Sequence, residues 1–422
     1  MRTAGRVSLD GTPVGALVEA GGRSSCRLSF SYDEGWLVRD DAVALGVAMP
    51  LRPGPHASRA VDAFFENLLP EGCMLEAAAS SRCLPPGDFF GLLLEFGRNC
   101  VGAVEVVPCG RPGPPATSSA GTSARRGAGR QSGRPRDNDQ PCGRTVLPDV
   151  QVPVRVVDVR SLALDALRHT VLPGVVRQIP IALSSERRTA RSTPGPGRYI
   201  LKPQSAAPFL PENELVTLRV AAAAGVDVVA CGLATLADGS FALLTRRFDR
   251  TEEGRKVRTE DFCQLAGRRP SEKYDGTAEL CADVVRRYTS EPLVEIARLF
   301  RRFVVAWWTA SPHLHLKNLS LLTDADGVVR LAPAHDLHCA QLAGDDGALA
   351  LPVNGKREAL CRGDWLRFAD SCSLRRPAAE RVLREVAASL DAALAVVAAS
   401  PLPRPAKGLY ANTLRARGRE LA

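Results

Sequence analysis

Aromatic residues are scarce in this sequence: they make up 5% of its 422 residues, whereas apolar residues make up 45% and charged residues 24%. We therefore expect a globular protein with a mostly aliphatic core and, at this length, two or three domains. The sequence also lacks any apolar run close to the ~20 residues that a membrane helix needs, and it lacks the apolar stretch of a secretory signal. A cytoplasmic protein without a membrane segment is expected.

Cysteine spacing of the kind that binds metal is also missing. The twelve cysteines are spread from Cys26 to Cys372, and none of them form a C-x-x-C pair. In a reducing compartment such cysteines are usually small buried hydrophobic residues. The spacing therefore disfavours a zinc or disulfide framework.

Much of the positive charge lies in one segment. The formal net charge is +9, and residues 110–144 contain seven arginines and two aspartates, a net of +5. Residues 109–147 are rich in Gly, Pro, Ser and Arg and almost devoid of large apolar residues, so they cannot bury enough surface to offset the entropy of ordering. We interpret this segment as a disordered basic insertion, and a weak nucleic-acid contact is the functional alternative.

The parts on either side of the insertion have different patterns. Residues 5–108 predict a small α/β domain with a hairpin around Asp10-Gly11 and a helix over 60–69. Residues 148–420 predict a second hairpin around Asp238-Gly239 and a large helical part. The main helices are predicted at 213–224, 275–286, 290–309 and 377–399. A small sheet followed by a large helical part is the order of an α+β, bilobal, protein-kinase-like fold.

Two motifs of the N-terminal part resemble those of a known family. Residues 64–71 read Phe-Phe-Glu-Asn-Leu-Leu-Pro-Glu. They resemble the F-F-x-N-L-L-P motif of the HipA family of toxin-type serine/threonine kinases. Residues 97–104 read Gly-Arg-Asn-Cys-Val-Gly-Ala-Val and are similar to that family's G-R-D-x-x-G-A-V motif. The resemblance implies a small N-terminal subdomain ahead of a kinase domain.

The resemblance continues after the insertion. Lys202, in the sequence Ile-Leu-Lys-Pro, matches the family's strand-borne lysine, whose ammonium can neutralise the α and β phosphates of ATP. Glu214, on the next predicted helix, is a candidate to orient Lys202. Arg247 and Phe248 lie in the sequence Arg-Phe-Asp-Arg, which is similar to the family's E-R-F-D-R hinge with Arg246 in place of the glutamate. The resemblance implies that Arg247 and Phe248 lie at the nucleotide.

The stretch at 312–320 resembles the family's catalytic loop. It reads Pro-His-Leu-His-Leu-Lys-Asn-Leu-Ser, against T/N-D-x-H-x-K-N-x-S. In such a loop a carboxylate accepts the proton of the substrate hydroxyl, and an asparagine five residues later holds magnesium. Asn318 is in place, and so are His315 and Lys317, which the resemblance places at the nucleotide. The carboxylate is missing, because His313 occupies its position.

The second magnesium ligand is kept, but the phosphate loop is not. Asp336, in Pro-Ala-His-Asp-Leu, matches the family's P-x-Y-D-I/L motif, so the catalytic region spans 311–340. The family's phosphate loop, S-x-A-G-A-Q-x-K, is replaced by Pro-Ile-Ala-Leu-Ser-Ser-Glu-Arg, which lacks the glycine that allows close backbone approach to phosphates. Ser184 and Arg187 are its candidate nucleotide contacts. Pro180 stands where the family has a regulatory serine, so that control should be absent or relocated.

His313 is the departure that bears most directly on activity. A neutral imidazole can accept a proton near pH 7, and general-base help is typically worth ~10²–10⁴-fold. We therefore expect binding of ATP and Mg²⁺ with weakened transfer of phosphate to a protein Ser or Thr. A catalytically inactive pseudokinase is the alternative.

Several side chains of metal-ligand type also gather in this region. They are His313, His315, His335, Asp336, His338 and Cys339. A dedicated transition-metal site built from them is a less favoured alternative.

The resemblance also implies partners. HipA-like proteins pair with a small helix-turn-helix antitoxin, HipB in the type system, that binds operator DNA, so contact with DNA is expected through such a HipB-like antitoxin. The family implies a growth-arresting toxin. An inactive chain could persist as an antitoxin-binding partner or co-repressor.

Overall fold

The computed structural model describes residues 4–20, 26–110, 152–156, 178–183, 190–192 and 197–421. The predicted insertion at 109–147 lies outside the described residues apart from its first two positions. Ser184 and Arg187 also lie outside them, and their roles stay predictions.

The N-terminal unit is an antiparallel five-stranded sheet with four helices. Its strands are β1 (Gly5–Leu9), β2 (Thr12–Glu19), β3 (Leu28–Tyr32), β4 (Pro55–His56) and β5 (Val104–Pro108), in the sheet order β4-β3-β2-β1-β5. Its helices are α1 (Glu34–Leu37), α2 (Arg59–Glu66), α3 (Gly72–Ser81) and α4 (Phe89–Phe96). Strands β1 and β2 confirm the predicted hairpin at Asp10-Gly11. Both turn residues have positive φ, as a type I′ turn requires.

Helix α2 carries the motif at 64–71 to the boundary of this unit. Its first turn is capped by Ser58, whose side chain accepts a hydrogen bond from a backbone N–H. Phe64 and Phe65 are buried in the N-terminal core. The helix ends at Glu66 rather than at the predicted residue 69, and Asn67 then reaches out of the unit to the backbone carbonyl of Arg268.

The second unit begins with a mixed six-stranded sheet. Its strands are β6 (Val152–Val156), β7 (Ile179–Leu183), β8 (Ala190–Ser192), β9 (Tyr199–Pro203), β10 (Cys231–Leu236) and β11 (Phe241–Arg246), in the order β6-β10-β11-β9-β7-β8. Strands β10 and β11 confirm the predicted hairpin at Asp238-Gly239. Helix α5 (Leu210–Ala223) packs against these two strands and begins three residues before the predicted start at 213.

The rest of the second unit is helical around a three-stranded sheet. The strands are β12 (Arg258–Asp261), β13 (Ser320–Thr323) and β14 (Val329–Leu331), and the helices are α6 (Phe262–Leu265), α7 (Ala278–Tyr288), α8 (Pro292–Trp308), α9 (Arg362–Ser371), α10 (Arg376–Ala388), α11 (Leu390–Ala399) and α12 (Arg404–Arg419). The single helix predicted over 377–399 is wrong in one respect, because it is divided at Ser389. The hydroxyl of Ser389 donates to the carbonyl of Val386, which favours a break there.

The two units have separate hydrophobic cores. One is formed by residues between Val7 and Val106, and the other by residues between Val216 and Leu421. Aliphatic side chains are the majority in both, as expected. The largest fully buried side chains are mostly aromatic and include Trp308 and Trp365.

A buried charge cluster joins the two units at the Arg-Phe-Asp-Arg segment. Asp249 accepts hydrogen bonds from Arg247 (Nε to Oδ1 2.8 Å, Nη2 to Oδ2 2.6 Å) and from Arg250 (Nη1 to Oδ2 2.8 Å). It also accepts one from the backbone N–H of Gly102, and Arg250 donates to the carbonyl of Cys100. Burial would raise the pKa of Asp249, but the two guanidinium groups hold it well below its usual range. Two separate sequence motifs, at 97–104 and at 247–250, therefore meet in one contact.

Candidate active site

A cleft that opens to solvent lies between the two units. It is lined by the predicted hinge, by the predicted catalytic loop (from here the 312–320 loop) and by part of the motif at 64–71. Every predicted site residue within the described part of the chain lines it: Lys202, Arg247, Phe248, His313, His315, Lys317, Asn318 and Asp336. The structure thus brings together residues that span more than a hundred positions of sequence.

Lys202 is held between two carboxylates. Strand β9 pairs with β11, so that Leu201 points into the core and Lys202 points to the opposite face. The Nζ of Lys202 lies 2.7 Å from Oε1 of Glu214 on α5 and 3.0 Å from Oδ1 of Asp336. Burial lowers the pKa of Lys202, but Asp336 and Glu214 outweigh burial and raise it above its ordinary value. The lysine is therefore a permanently charged cation, with its ammonium fixed at the floor of the cleft.

Asp336 receives donors on both carboxylate oxygens. Lys202 donates to Oδ1, and the Nδ2 of Asn318 donates to Oδ2 across 2.9 Å. Burial would raise the pKa of Asp336, but Lys202 and the neighbouring His313 hold it well below its usual range. Asp336 also has a φ of 56°, in the left-handed region that few residues other than Gly, Asn and Asp adopt. Its ionised carboxylate is thus held in one orientation toward the cleft.

The end of helix α8 sets the start of the 312–320 loop. Ala310 turns the chain with a φ of 54°, and the backbone N–H of Ser311 donates to the carbonyl of Ala306. This turn brings His313 to the cleft, with its Nδ1 3.9 Å from Oδ2 of Asp336. The carbonyl of His313 accepts a second hydrogen bond from Asn318. The backbone of His313 is therefore held by Asn318, and its imidazole lies beside Asp336.

Three more histidines, His315, His335 and His338, lie near His313 and Asp336. The ring of His338 lies 4.1 Å from that of His313, centre to centre, and the ring of His315 lies 6.3 Å from it. Burial, with smaller contributions from neighbouring cations, lowers the pKa of His315 to about 3, and it lowers those of His335 and His338 to about 4. These three rings are neutral at pH 7. The Nδ1 of His315 is buried without a hydrogen-bond partner among the described residues.

Lys317 has a different environment from the one predicted for a nucleotide contact. Its Nζ donates to Oδ1 of Asn67 (2.8 Å), to the carbonyl of Asn67 (3.2 Å) and to Oδ2 of Asp261 (3.2 Å). An ammonium has three N–H bonds, and all three are therefore engaged. The side chain of Arg247 is likewise held by Asp249, although its Nη1 is buried without a partner among the described residues. The side chain of Lys317 is thus a link to the N-terminal unit.

The cleft is also lined by residues that were not predicted as site residues. Among them are Asn67, Glu71, Lys273 and Tyr274. Asn67 and Glu71 lie in the motif at 64–71, whose polar positions were a signal that could have been used. Tyr274 packs edge-to-face on His315, and the pair forms part of the cleft wall.

The donor groups of the cleft suit one kind of metal better than another. The described residues contain no group of three or more His, Cys, Asp or Glu side chains that could hold a metal ion. This counts against the transition-metal alternative. A carboxylate and an amide side by side, Asp336 and Asn318, could serve magnesium, which takes oxygen ligands and keeps several waters.

Two family models match the chain. The HipA N-terminal domain matches residues 5–107, and the HipA-like C-terminal domain matches residues 170–394. The chain belongs to the HipA family. The family resemblance predicted from the motifs is thereby confirmed.

Curated relatives agree with this membership. Two proteins of Sinorhizobium fredii, named "Putative kinase Y4mE" and "Putative kinase Y4dM", are 26% and 28% identical over 394 and 393 residues. The alignments cover 88% and 87% of this chain, and 86% and 85% of the two relatives. The chain is thus similar over most of its length to proteins named as putative kinases.

A solved structure has the same fold. HipA of Shewanella oneidensis MR-1, determined in a complex with HipB and its operator DNA, aligns with a TM-score of 0.74 at 19% identity and covers 98% of this chain and 96% of its own. The predicted α+β, bilobal, kinase-like fold is confirmed. No helix in the described part of the HipA-family chain combines the length and the apolar character needed to span a membrane.

Proposed function

We propose that this HipA-family chain is an ATP-dependent serine/threonine-protein kinase with weakened catalysis. The observation that carries the proposal is the contact set around Asp336, which joins Lys202 and Glu214 on one side and Asn318 on the other. A strand lysine paired with a helix glutamate, next to an aspartate and an asparagine, is the set of groups that phosphoryl transfer from ATP needs.

Each group has a proposed role at the nucleotide. Lys202 would bind the phosphates, and Asp336 with Asn318 would hold magnesium, whose charge offsets that of the phosphates. Lys202 and Asn318 both donate to Asp336, which holds the carboxylate in place, and these contacts would be exchanged for contacts to magnesium and the phosphates. Phe248 would form an apolar wall beside the adenine ring of the nucleotide.

The remaining predicted contacts complete the nucleotide site. His315 and Arg247 line the cleft and would contact polar atoms of the nucleotide, Arg247 as a donor. Ser184 and Arg187 are proposed at the phosphate end.

His313 is proposed as the base. The hydroxyl oxygen of the acceptor Ser or Thr attacks the γ phosphorus, its proton passes to the imidazole of His313, and the bond to the bridging oxygen of ADP breaks. Its position beside Asp336 supports this role. General-base help is typically worth ~10²–10⁴-fold, and a histidine in place of the family's aspartate would recover only part of it. Slow transfer is the expected consequence.

The same substitution favours a second candidate function. With His313 at the base position and the family's glycine missing from the phosphate loop, the chain could act as a pseudokinase that binds an antitoxin as a partner or co-repressor. The HipA of S. oneidensis is found with HipB and operator DNA. By analogy we propose a small helix-turn-helix antitoxin as the partner in either case, with DNA contacted through it, and a growth-arresting toxin as the role of the active form.

Isothermal titration calorimetry with ATP, with and without magnesium, tests the nucleotide site. The wild type is expected to bind ATP in a magnesium-dependent way, and Asp336→Ala is expected to lose that dependence. Heat of binding that is equal in the two proteins would contradict the roles proposed here. Absence of binding in the wild type would leave the partner-binding pseudokinase.

A further inference from the structure

The motif at 64–71 makes polar contacts with the 312–320 loop. Asn67, which is 2% exposed, directly follows helix α2. Its Nδ2 donates to the carbonyls of Ala63 and Arg268, each at 2.8 Å. Its Oδ1 and its own carbonyl both accept from Lys317. One side chain of the N-terminal unit thus holds a loop residue 250 positions later in the sequence.

Two further contacts connect the motif at 64–71 to residues that hold the 312–320 loop. Asp261, the third acceptor for Lys317, shares a capping box with Gln264, and the Nε2 of Gln264 donates to the carbonyl of Phe64. Lys273 pairs with Glu71 at 2.8 Å, and the carbonyl of Lys273 accepts from the backbone N–H of Leu316 in the loop. Phe64, Asn67 and Glu71 lie on one end of α2 and the turn after it, so all three contacts hold the loop from the same side.

A single residue, Lys317, links Asn67 to the proposed magnesium ligand and base. Lys317 directly precedes Asn318, whose Nδ2 bonds both Asp336 and the carbonyl of His313. A displacement of Lys317 would therefore move the magnesium ligand and the base together. In Asn67→Ala the buried ammonium would keep two acceptors, the backbone carbonyl of residue 67 and Asp261, and would lose the shortest of its three hydrogen bonds, the 2.8 Å bond to the amide Oδ1.

We propose that Asn67 is a positioning residue of the 312–320 loop: through Lys317 it sets the placement of His313 and Asn318, so that the N-terminal unit is a working part of the catalytic site. The role in catalysis rests on the proposed kinase function; the hold on the loop does not. The simpler explanation is that these bonds only attach one unit to the other. The two explanations differ in what happens to the loop when the attachment is weakened elsewhere.

The chain offers a matched control for that difference. Lys256 is a second buried lysine that crosses between the units, with a side chain 5% exposed against 4% for Lys317. Its Nζ bonds Oε1 of Glu105 at 2.8 Å and the carbonyl of Arg98 at 2.9 Å. Lys256 lies at the side of the boundary that strand β5 forms. Among the described residues, it makes no contact with the 312–320 loop.

The test compares Asn67→Ala with Lys256→Met in the full chain by hydrogen–deuterium exchange and by kinetics. Both variants are expected to unfold at lower urea concentration. Only Asn67→Ala is expected to speed exchange within residues 313–319. Its kcat for phosphate transfer should fall about ten- to hundredfold, as expected when reacting groups are misplaced by about an ångström, with a smaller change in KM for ATP. Asn67→Asp, which keeps an oxygen acceptor for Lys317, should restore part of the protection.

Each outcome decides the proposal. Equal rates of hydrogen–deuterium exchange in the loop of Asn67→Ala and Lys256→Met would overturn the proposal. The contacts of Asn67 would then only attach one unit to the other. If the wild type neither binds ATP nor transfers phosphate, the kinase proposal fails, while the exchange data still decide whether Asn67 holds the loop. If Asn67→Ala does not fold, Lys317→Met tests the same bond from the loop side. Faster exchange at 64–69 in that variant supports the link, and unchanged exchange there overturns it.

Discussion

Lys202 and Asp336 form a partly buried ion pair, with Nζ 3.0 Å from Oδ1, although 134 positions separate them in the sequence. The pair joins the six-stranded sheet of the second unit to the helical part of the same unit. Because each partner also bonds a second group, Glu214 for the lysine and Asn318 for the aspartate, the pair is the centre of a chain of four side chains. This chain of contacts is what we expect a nucleotide to rearrange.

Lys202→Met tests the phosphate role of the lysine. Loss of a charge-assisted contact of this kind is typically worth enough to weaken ATP binding about ten- to hundredfold. Stability should also fall, by about 3–5 kcal/mol, because Glu214 and Asp336 are left close together without their cation. Calorimetry and urea unfolding measure the two effects. Lys256→Met, at a buried lysine outside the cleft, is expected to change stability alone, and equal ATP affinities in the two variants would refute the assignment.

Asp249→Asn tests the charge cluster that joins the units. The substitution leaves Arg247 and Arg250 buried without a counter-ion, so the free energy of unfolding should fall by about 3–5 kcal/mol. The exposed pair between Arg39 and Asp41 has similar bidentate geometry and serves as the comparison. Asp41→Asn is expected to change the free energy of unfolding little in the same urea titration, because solvent screens an exposed pair. Similar losses in the two variants would mean that burial of the cluster contributes little.

Glu260 predicts a dependence of stability on pH. Its Oε2 accepts a hydrogen bond from the backbone N–H of Val47, and burial raises its pKa from 4.5 to about 7. The folded state therefore holds this proton more tightly than the unfolded chain, and stability falls as the pH rises from 4.5 through 7. Glu260→Gln keeps an acceptor for Val47 and removes the charge. We expect it to match the wild type near the lower end of that range and to be more stable by about 1–2 kcal/mol above the upper end, an amount reduced for the partial exposure of the side chain.

Urea unfolding at about pH 4.5 and about pH 8 checks the Glu260 prediction. Glu358→Gln, at an exposed position, is the control and should behave like the wild type at both values. A stability difference between Glu260→Gln and the wild type that is the same at both pH values would show that the carboxyl does not titrate in this window.

Local patterns predicted most of the elements near the site. Asp10-Gly11 and Asp238-Gly239 have turn chemistry that depends only on neighbouring residues, and both hairpins are confirmed. Helix α12 was not predicted, because its residues 404–419 are rich in Arg and have little apolar periodicity. Its burial against other helices, through Tyr410 and Leu414, is a tertiary effect.

The motifs predicted which side chains meet in the cleft better than they predicted where each side chain points. Lys202, Asn318 and Asp336 converge, whereas Lys317 turns to Asn67 and most of the Arg247 guanidinium turns to Asp249. The direction of Lys317 depends on the N-terminal unit, whereas Arg247 is held by Asp249, two positions away in its own motif. A motif read one segment at a time carries no information about a partner 250 positions away.

Transfer of radiolabelled γ-phosphate from ATP to a generic Ser- and Thr-containing protein substrate, or to the chain itself, tests the central claim most directly. It would be measured for the wild type, Asp336→Ala and His313→Asp. A kinase site weakened at its base predicts slow transfer by the wild type, transfer about tenfold or more faster by His313→Asp, and none by Asp336→Ala. Label incorporated at the same background rate in all three proteins, His313→Asp included, would contradict the account and leave the chain as a partner-binding pseudokinase.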